Sequence, residues 1–407
     1  MSPRFDIAVV GGGAAGLAAA IAAAREGKAT AIVDRMPRLG KKILVTGGGR
    51  CNLGRERLEA GLFSSTDPSL VASVFERFGT REITRFFEQL GLRIVSDGGR
   101  LYPATNQAAS VLKVLELEVR RQRIEVFTGF EAAAIEPAGR TFVLPSVDGR
   151  KIEARAVILA GGGRSYPALG ADGSAFALAR ALGHRLIEPV PSCVPLLVRD
   201  RMCHFLQGQK IRAGAEAWVE GRAVSRADGD LLFTAYGLSG TAVLDVSTEI
   251  SVALNRDKKR RVEIRLDLVP AMGRDELNME ILRRLNDGWA EADLVSGLLP
   301  EKFGKTVAGW IPPGSRTEER IAAALAEALK NQRLQVQGTR GWNEAEFTSG
   351  GLDAGEIESE RLESKIIPRL FLAGEICDVQ GPRGGFNLSW AWASGTLAGR
   401  GAASGFA

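Results

Sequence analysis

Residues 7–10 form a short, uninterrupted, β-branched apolar run, the pattern of a strand buried on both faces. A glycine turn follows over 11–16, then an alanine-rich stretch read as a helix to about Glu26, with Gly27 placed to end it. Residues 29–33 predict a second strand closing on Asp34. Apolar positions then recur at helical spacing over 71–78, 81–90 and 111–123. Arg120, Arg121 and Arg123 read as the solvated last turn of the third helix. Strands are expected over 130–135 and 152–159. The composition shifts around 189–195, and strand-like stretches follow over 193–198, 215–224, 231–246 and 262–268. Helical periodicity takes over within 267–330, clearest over 275–285 and 317–329, before a strand over 333–336. The chain closes with a strand over 370–372 and an apolar helix over about 388–398.

The stretch 7–24 holds no charged residue and is long enough to span a bilayer. It is mostly Gly and Ala, which insert weakly, and Asp6 abuts it without a basic flank. A transmembrane segment and a signal peptide are both rejected.

Composition narrows the chemistry. The 407 residues are 45% apolar and 25% charged, the balance of a globular chain of two or three domains. Four scattered cysteines, Cys51, Cys193, Cys203 and Cys377, form no C-x-x-C pair and suit a reducing cytoplasm. Cys193, Cys203 and His204 lie near one another without zinc spacing, so no metal site is expected. Only two histidines are present, so the chemistry rests on something else. His184, after Gly183, reads as a packing or capping residue. The net charge of +5 suits anionic small molecules or nucleic acid and proves neither.

The opening unit supplies a candidate cofactor. Gly11, Gly13 and Gly16 satisfy G-x-G-x-x-G between a strand and a helix. Gly11 permits the tight turn, Gly13 close approach of a pyrophosphate, and Gly16 close packing of helix on sheet. Ala14 and Ala15 open the helix, whose first N–H groups face the phosphate charge. Asp34 is placed to accept hydrogen bonds from adenosine ribose hydroxyls, with Arg35 beside it. This unit alone does not separate NAD from FAD.

Later segments favour FAD. Lys42 leads into a second glycine cluster, Gly47-Gly48-Gly49, followed by Arg50, Cys51 and Asn52. A strand ends in Ala160-Gly161-Gly162, and another leads into Gly374-Glu375. Gly385-Phe386-Asn387 opens the last helix, whose amino end would stabilise an anionic flavin ring. Arg50, Asn52 and Asn387 are expected near the ring, and Glu375 near the ribityl chain or pyrophosphate. Ala132 is a candidate for adenine contacts.

These strings resemble the bacterial NAD(P)/FAD-dependent oxidoreductases often labelled the aminoacetone oxidase family. They are VVGGGAAGLAAA, GKKILVTGGGRCN, GGGRSYPALGADG with ARALGH, PSCVPL, GLSGTAVLDVS, and LESKIIPRLFLAGEICDVQGPRGGFNLSWAWASG. The resemblance implies an α/β fold: a glutathione-reductase-like Rossmann FAD domain interrupted by a β-rich insert that carries a helical subdomain. The expected boundaries are 1–191 and 346–407 for the FAD domain, 192–266 and 331–345 for the β-rich part, and 267–330 for the helical part. One string departs from the family's F-T-H-x-G-x-S-G-P. Ala235 stands where a histidine is usual and Thr241 where a proline is usual, so roles at those positions do not transfer.

The expected activity is that of a non-covalent FAD oxidoreductase. The resemblance favours reduction of an activated C=C bond in a small organic substrate, with NAD(P)H as a transient donor because no second G-x-G-x-x-G unit occurs. Arg50 and Tyr166 are the candidate catalytic residues, although Tyr166 equally suits a structural turn, and Cys51 reads as a packed residue. One alternative is an O₂-using oxidase of a small amine. Another is flavin-dependent uridine reduction in structured RNA, for which the basic run Arg256, Lys258, Lys259, Arg260 and Arg261 would contact phosphate, with Lys330, Arg333 and Arg340 as possible additions. That run otherwise reads as a solvated hairpin tip. An aromatic content of 6% and the small net charge argue against the RNA reading.

Overall fold

The computed structural model describes residues 3–405 except 260 and 314–316. It divides into two compact units: Met1–Pro189 with Phe347–Ala407, and Val190–Glu346.

The first unit begins with β1 (Arg4–Val10), α1 (Ala14–Arg25) and β2 (Thr30–Asp34). It continues with α2 (Ala108–Arg121), β3 (Glu125–Thr128), β4 (Glu136–Ala138), β5 (Thr141–Pro145), β6 (Lys151–Leu159) and α3 (Ser174–Ala181). The parallel order is β3-β2-β1-β6, with Ile7 against both Thr30 and Ala156. Ile7, Ala8, Val9 and Val157 to Leu159 are fully buried, as both faces of a central parallel strand require. Residues 54–55, 94–97 and 100–103 form a separate small antiparallel sheet with the last in the middle. Residues 130–135 are not a strand. Gly129 turns the chain at φ +60°, and Ala132 makes only an isolated bridge to Ser146.

The second unit is built on an antiparallel sheet. β7 (Lys210–Val219) and β8 (Arg222–Thr234) form a long hairpin, followed by α4 (Thr241–Ser251). After these come β9 (Val262–Asp267), α5 (Arg274–Asn286), α6 (Glu318–Lys330) and β10 (Gln332–Gln335), with the order β10-β9-β7-β8. Three expectations are corrected here. The stretch 215–224 is two strands, because Glu220 and Gly221 both take positive φ and close a two-residue turn. The stretch 231–246 stops being strand at Gly240, whose φ of +95° redirects the chain into a helix. Of 193–198 only Leu196 and Leu197 pair as strand, since Cys193 sits at φ +52°. The basic run is not a hairpin tip either. It begins inside a single π-type turn, Val252–Arg256, that extends α4, and Arg260 lies outside the described residues.

The chain then re-enters the first unit at Phe347, adds β11 (Leu370–Leu372) and ends in α7 (Phe386–Ser404), which is longer than its apolar pattern suggested. The far edge of β6 is shared. Its first half pairs antiparallel with β5, and its second half parallel with β11. α7 packs directly on α1. A Cβ at Gly395 or Gly399 would fall inside contact with the backbone oxygens of Ala15 and Ala19, so glycine at both positions allows the approach. Each unit has its own apolar core. No helix among the described residues is long and apolar enough to cross a membrane.

Candidate functional site

The carboxyl ends of β1, β2, β6 and β11 lie along one edge of the parallel sheet, where open α/β folds place ligands. The segments 11–16, 34–35, 160–162 and 374–375 sit there because each directly follows one of these strands. Gly11 takes φ +103°, and a Cβ on it would lie 2.5 Å from Ala160 O, so the turns after β1 and β6 nearly touch. A Cβ on Gly16 would strike Gly11 O, which fixes glycine there. Gly13 caps α1, and a Cβ on it would meet nothing within 4 Å. The space before α1 is thus open, and the helix has no acidic residue in its first turn.

Asp34 anchors this turn. Its Oδ2 accepts from Gly12 N at 2.5 Å and its Oδ1 from Met36 N at 2.7 Å. Burial raises its pKa above the usual value, against the opposing effect of those two hydrogen bonds. Arg35 is ion-paired with Asp172. Gly161 abuts Ala175, and Gly162 turns at φ +75°.

Lys42 and Glu375 join the two ends of the chain. Lys42 Nζ lies 2.7 Å from Glu375 Oε2 and donates to Ser165 Oγ at 2.6 Å. Glu375 Oε1 accepts from Ser165 Oγ at 2.9 Å and from Thr348 N at 2.8 Å. Burial pushes the Glu375 pKa up, but the Lys42 charge and these hydrogen bonds outweigh it and hold the carboxyl below its ordinary value. Ser165 and Thr348 were invisible in the sequence because isolated hydroxyl residues carry no spacing signal.

The glycine cluster forms a loop with Gly47, Gly48, Gly49 and Cys51 all at positive φ. Cys51 is fully buried, and burial pushes its thiol up to about 11, so it is a packed, protonated residue. Asn52 is buried, and its Oδ1 has no hydrogen-bond partner. A Cβ on Gly385, at φ +104°, would lie 2.7 Å from that oxygen. Arg50 stacks on the Tyr102 ring at 4.2 Å, donates to Asn106 Oδ1 at 2.6 Å and reaches Asp97 at 3.3 Å. Asn387 uses its amide on the loop before it, accepting from Gly381 N and donating to Gly381 O. Phe386 is buried against Phe63. Trp390 Nε1 donates to Gly374 O, Ser394 Oγ accepts from Gly374 N, and Trp392 Nε1 donates to Leu53 O, so α7 pins both glycine loops.

Tyr166 sits at φ +55° directly before Pro167, a conformation rare for a bulky residue. His184 is structural, with Nδ1 2.9 Å from Glu356 and Nε2 2.9 Å from Ser364 Oγ.

The donor set fits a dinucleotide such as FAD. An uncrowded helix start faces the strand ends, the glycines keep the turns free of side chains, and a buried amide oxygen is left without a donor.

Comparison with known proteins agrees. Residues 5–401 match the family described as "HI0933-like protein Rossmann domain". The chain is 37% identical over 98% of both chains to the 3-dehydro-bile acid delta(4,6)-reductase of Clostridium scindens. It is 28% identical over 96% of both chains to the ribosomal RNA dihydrouridine synthase of Escherichia coli. Among solved structures it resembles a 3-ketosteroid-delta4-(5alpha)-dehydrogenase from Rhodococcus jostii, with TM-score 0.53 and 16% identity over 98% of this chain and 97% of that one, a likeness of fold alone. A match over nearly the whole chain, together with these strand-end loops, places the protein in the HI0933-like family of Rossmann-fold, FAD-dependent oxidoreductases.

Proposed function

We propose that the protein reduces a C=C bond conjugated to a carbonyl in a small polycyclic substrate, drawing electrons from NADH or NADPH. The observation that carries this reading is the end-to-end likeness to a delta(4,6)-reductase. The name of the dihydrouridine synthase describes the same chemical change, saturation of a C=C bond, on another substrate. Bound FAD would supply the hydride.

The chain's own residues hold and bias the site. The 11–16 turn and α1 take the pyrophosphate, with Asp34 fixing the turn and facing the ribose. The loops at 48–52, 160–162, 374–375 and 385–387 enclose the remainder. Arg50, oriented by Asp97, Asn106 and Tyr102, offsets negative charge developing on the substrate carbonyl oxygen. The Tyr166 hydroxyl is the candidate proton donor to substrate carbon.

Anaerobic mixing tests the reading. Flavin absorbance should bleach with NADH or NADPH and recover on adding 4-androstene-3,17-dione, one enone per flavin. Bleaching by a small amine, with recovery on admitting O₂, would favour the amine-oxidase alternative, and no bleaching by either nucleotide would remove NAD(P)H.

A second reading, uridine reduction in structured RNA, is favoured by the likeness to the dihydrouridine synthase over 96% of the chain. Lys258, Lys259 and Arg261 are exposed as that reading needs. Lys330 and Arg340 do not join them as free charges. Lys330 is paired with Asp267 at 2.6 Å, and Arg340 with Glu344. RNA binding that weakens steeply with salt would support this reading.

A further inference from the structure

Arg55 and Arg100 are direct cross-strand partners in the small antiparallel sheet. Directly opposed residues project from the same face, so two positive charges stand side by side, an arrangement that destabilises a sheet. Both guanidinium groups converge on the turn before α7. A Cβ on Gly384 would lie 3.2 Å from Arg55 Nη1, 3.4 Å from Arg100 Nε and 3.7 Å from Arg100 Nη2. Gly384 itself is at φ +108°, a conformation that disfavours any side chain there.

Among the described residues neither arginine enters an ion pair. Two carboxylates flank the pair. Asp97, opposite Arg100, is reached by Arg50 at 3.3 Å. Glu56 follows Arg55 in sequence, and both reach the Gly99 turn, where an added Cβ would lie 3.8 Å from Glu56 Oε2 and 3.9 Å from Arg55 Nη2. Among the described residues the pair's side-chain contact is aromatic: the Arg55 guanidinium lies 5.3 Å from the centre of the Phe386 ring. Phe386 opens α7 and is packed on Phe63, so the ring gives Arg55 a fixed surface to rest on. Arg55 is half-buried and Arg100 exposed, which gives a site open on one side. The pair lies within one turn of Asn52 and Gly385, at the site described above.

We propose that Arg55 and Arg100 form the docking point for a carboxylate carried by the small-molecule substrate. The inference rests on the reading that this site reduces such a molecule, and it adds the charge that the substrate must carry. A carboxylate matches two guanidinium groups that converge on one point, through paired, charge-assisted hydrogen bonds. The flanking carboxylates of Asp97 and Glu56 leave room for one anion rather than a track for a polyanion, which favours a small acid over an RNA backbone.

The test is calorimetric titration of the holoenzyme with deoxycholate, a saturated steroid acid that cannot be reduced, and with its methyl ester. Wild-type enzyme should bind the acid roughly tenfold or more tightly than the ester, the scale of one charge-assisted hydrogen bond. Arg55→Gln with Arg100→Gln should erase that preference, and Arg100→Lys should restore part of it in an otherwise wild-type chain. Folding of each variant is read from its flavin spectrum and Tm. Equal binding of acid and ester by wild-type enzyme, an undiminished preference in the double variant, or no binding of either overturns the proposal. So does RNA binding that is lost in the double variant without any acid–ester preference, which would assign the pair to phosphate. Failure of the underlying reading shows separately, as wild-type enzyme that reduces no steroid enone, whether or not the enone carries a carboxylate.

Discussion

At the scale of single residues, Glu375 ties the last segment of the chain to the loop after β2, through Lys42. Its pKa is pushed up by burial and pulled further down by Lys42, Ser165 and Thr348. Because the folded value is depressed, the carboxylate contributes stability that is complete above the ordinary glutamate value of 4.5 and is lost as pH falls through the lower folded value. Glu375→Gln is expected to cost about 2 kcal/mol near neutral pH, the scale of a charge-assisted hydrogen bond lost from a mostly buried site. The gap between variant and wild type should narrow below the ordinary glutamate value. Urea unfolding of the holoprotein across that range measures it, and a gap independent of pH would show that the carboxylate charge is not what stabilises the loop. Glycines illustrate how much of this scale is legible in the sequence. The requirement at Gly16 follows from its motif alone, and the structure supplies the reason in Gly11 O. The requirement at Gly384 does not, because the arginines that crowd it come from positions 55 and 100.

At the scale of elements, the packing of α7 on α1 decides how firmly the cofactor turn is held. Gly395 and Gly399 are four residues apart on α7 and meet Ala15 and Ala19, likewise four apart on α1, so one turn of each helix repeats the same close contact. Gly395→Ala or Gly399→Ala should cost about 1–3 kcal/mol by overpacking. Each should also weaken FAD retention, since Ala15 belongs to the first turn of α1. Thermal melts and flavin release on dilution would show it. Gly61→Ala, where an added Cβ meets nothing within 4 Å, serves as the neutral comparison. If Gly395→Ala melts with that control, the helices are not locked as described. The helices themselves were legible from periodicity, but their mutual contact was not, since each glycine alone reads as a weak spot in a helix. Strand limits in the second unit were missed for a related reason. A run of apolar residues over 231–246 has the same local preference in strand and in helix, and Gly240 at φ +95° marks the change.

At the scale of the whole molecule, the two units keep separate cores, and one of them is a single stretch of chain. The fragment 190–346 contains all the residues of its own core, from Leu196 to Val336. It should therefore fold alone, unfold cooperatively in urea with an m-value of about 1–3 kcal/mol/M, and remain colourless with added FAD. A broad transition with exposed apolar surface would show instead that this unit depends on the rest of the chain.

The β1–α1–β2 unit, the FAD-type glycine loops and the alternation of sheet and helix in the inserted stretch are all legible along the chain. Those features depend on residues a few positions apart, so a strand's alternation, a helix's period or a turn's need for glycine shows in the string. Only the tertiary structure decided what these pieces meet. Lys42 reaches Glu375 across 333 positions, Trp392 reaches Leu53 across 339, and Arg55 faces Arg100 through a sheet that no local pattern announced. Such partners are chosen by strand order and helix packing, which set distances in space without leaving any spacing in the chain.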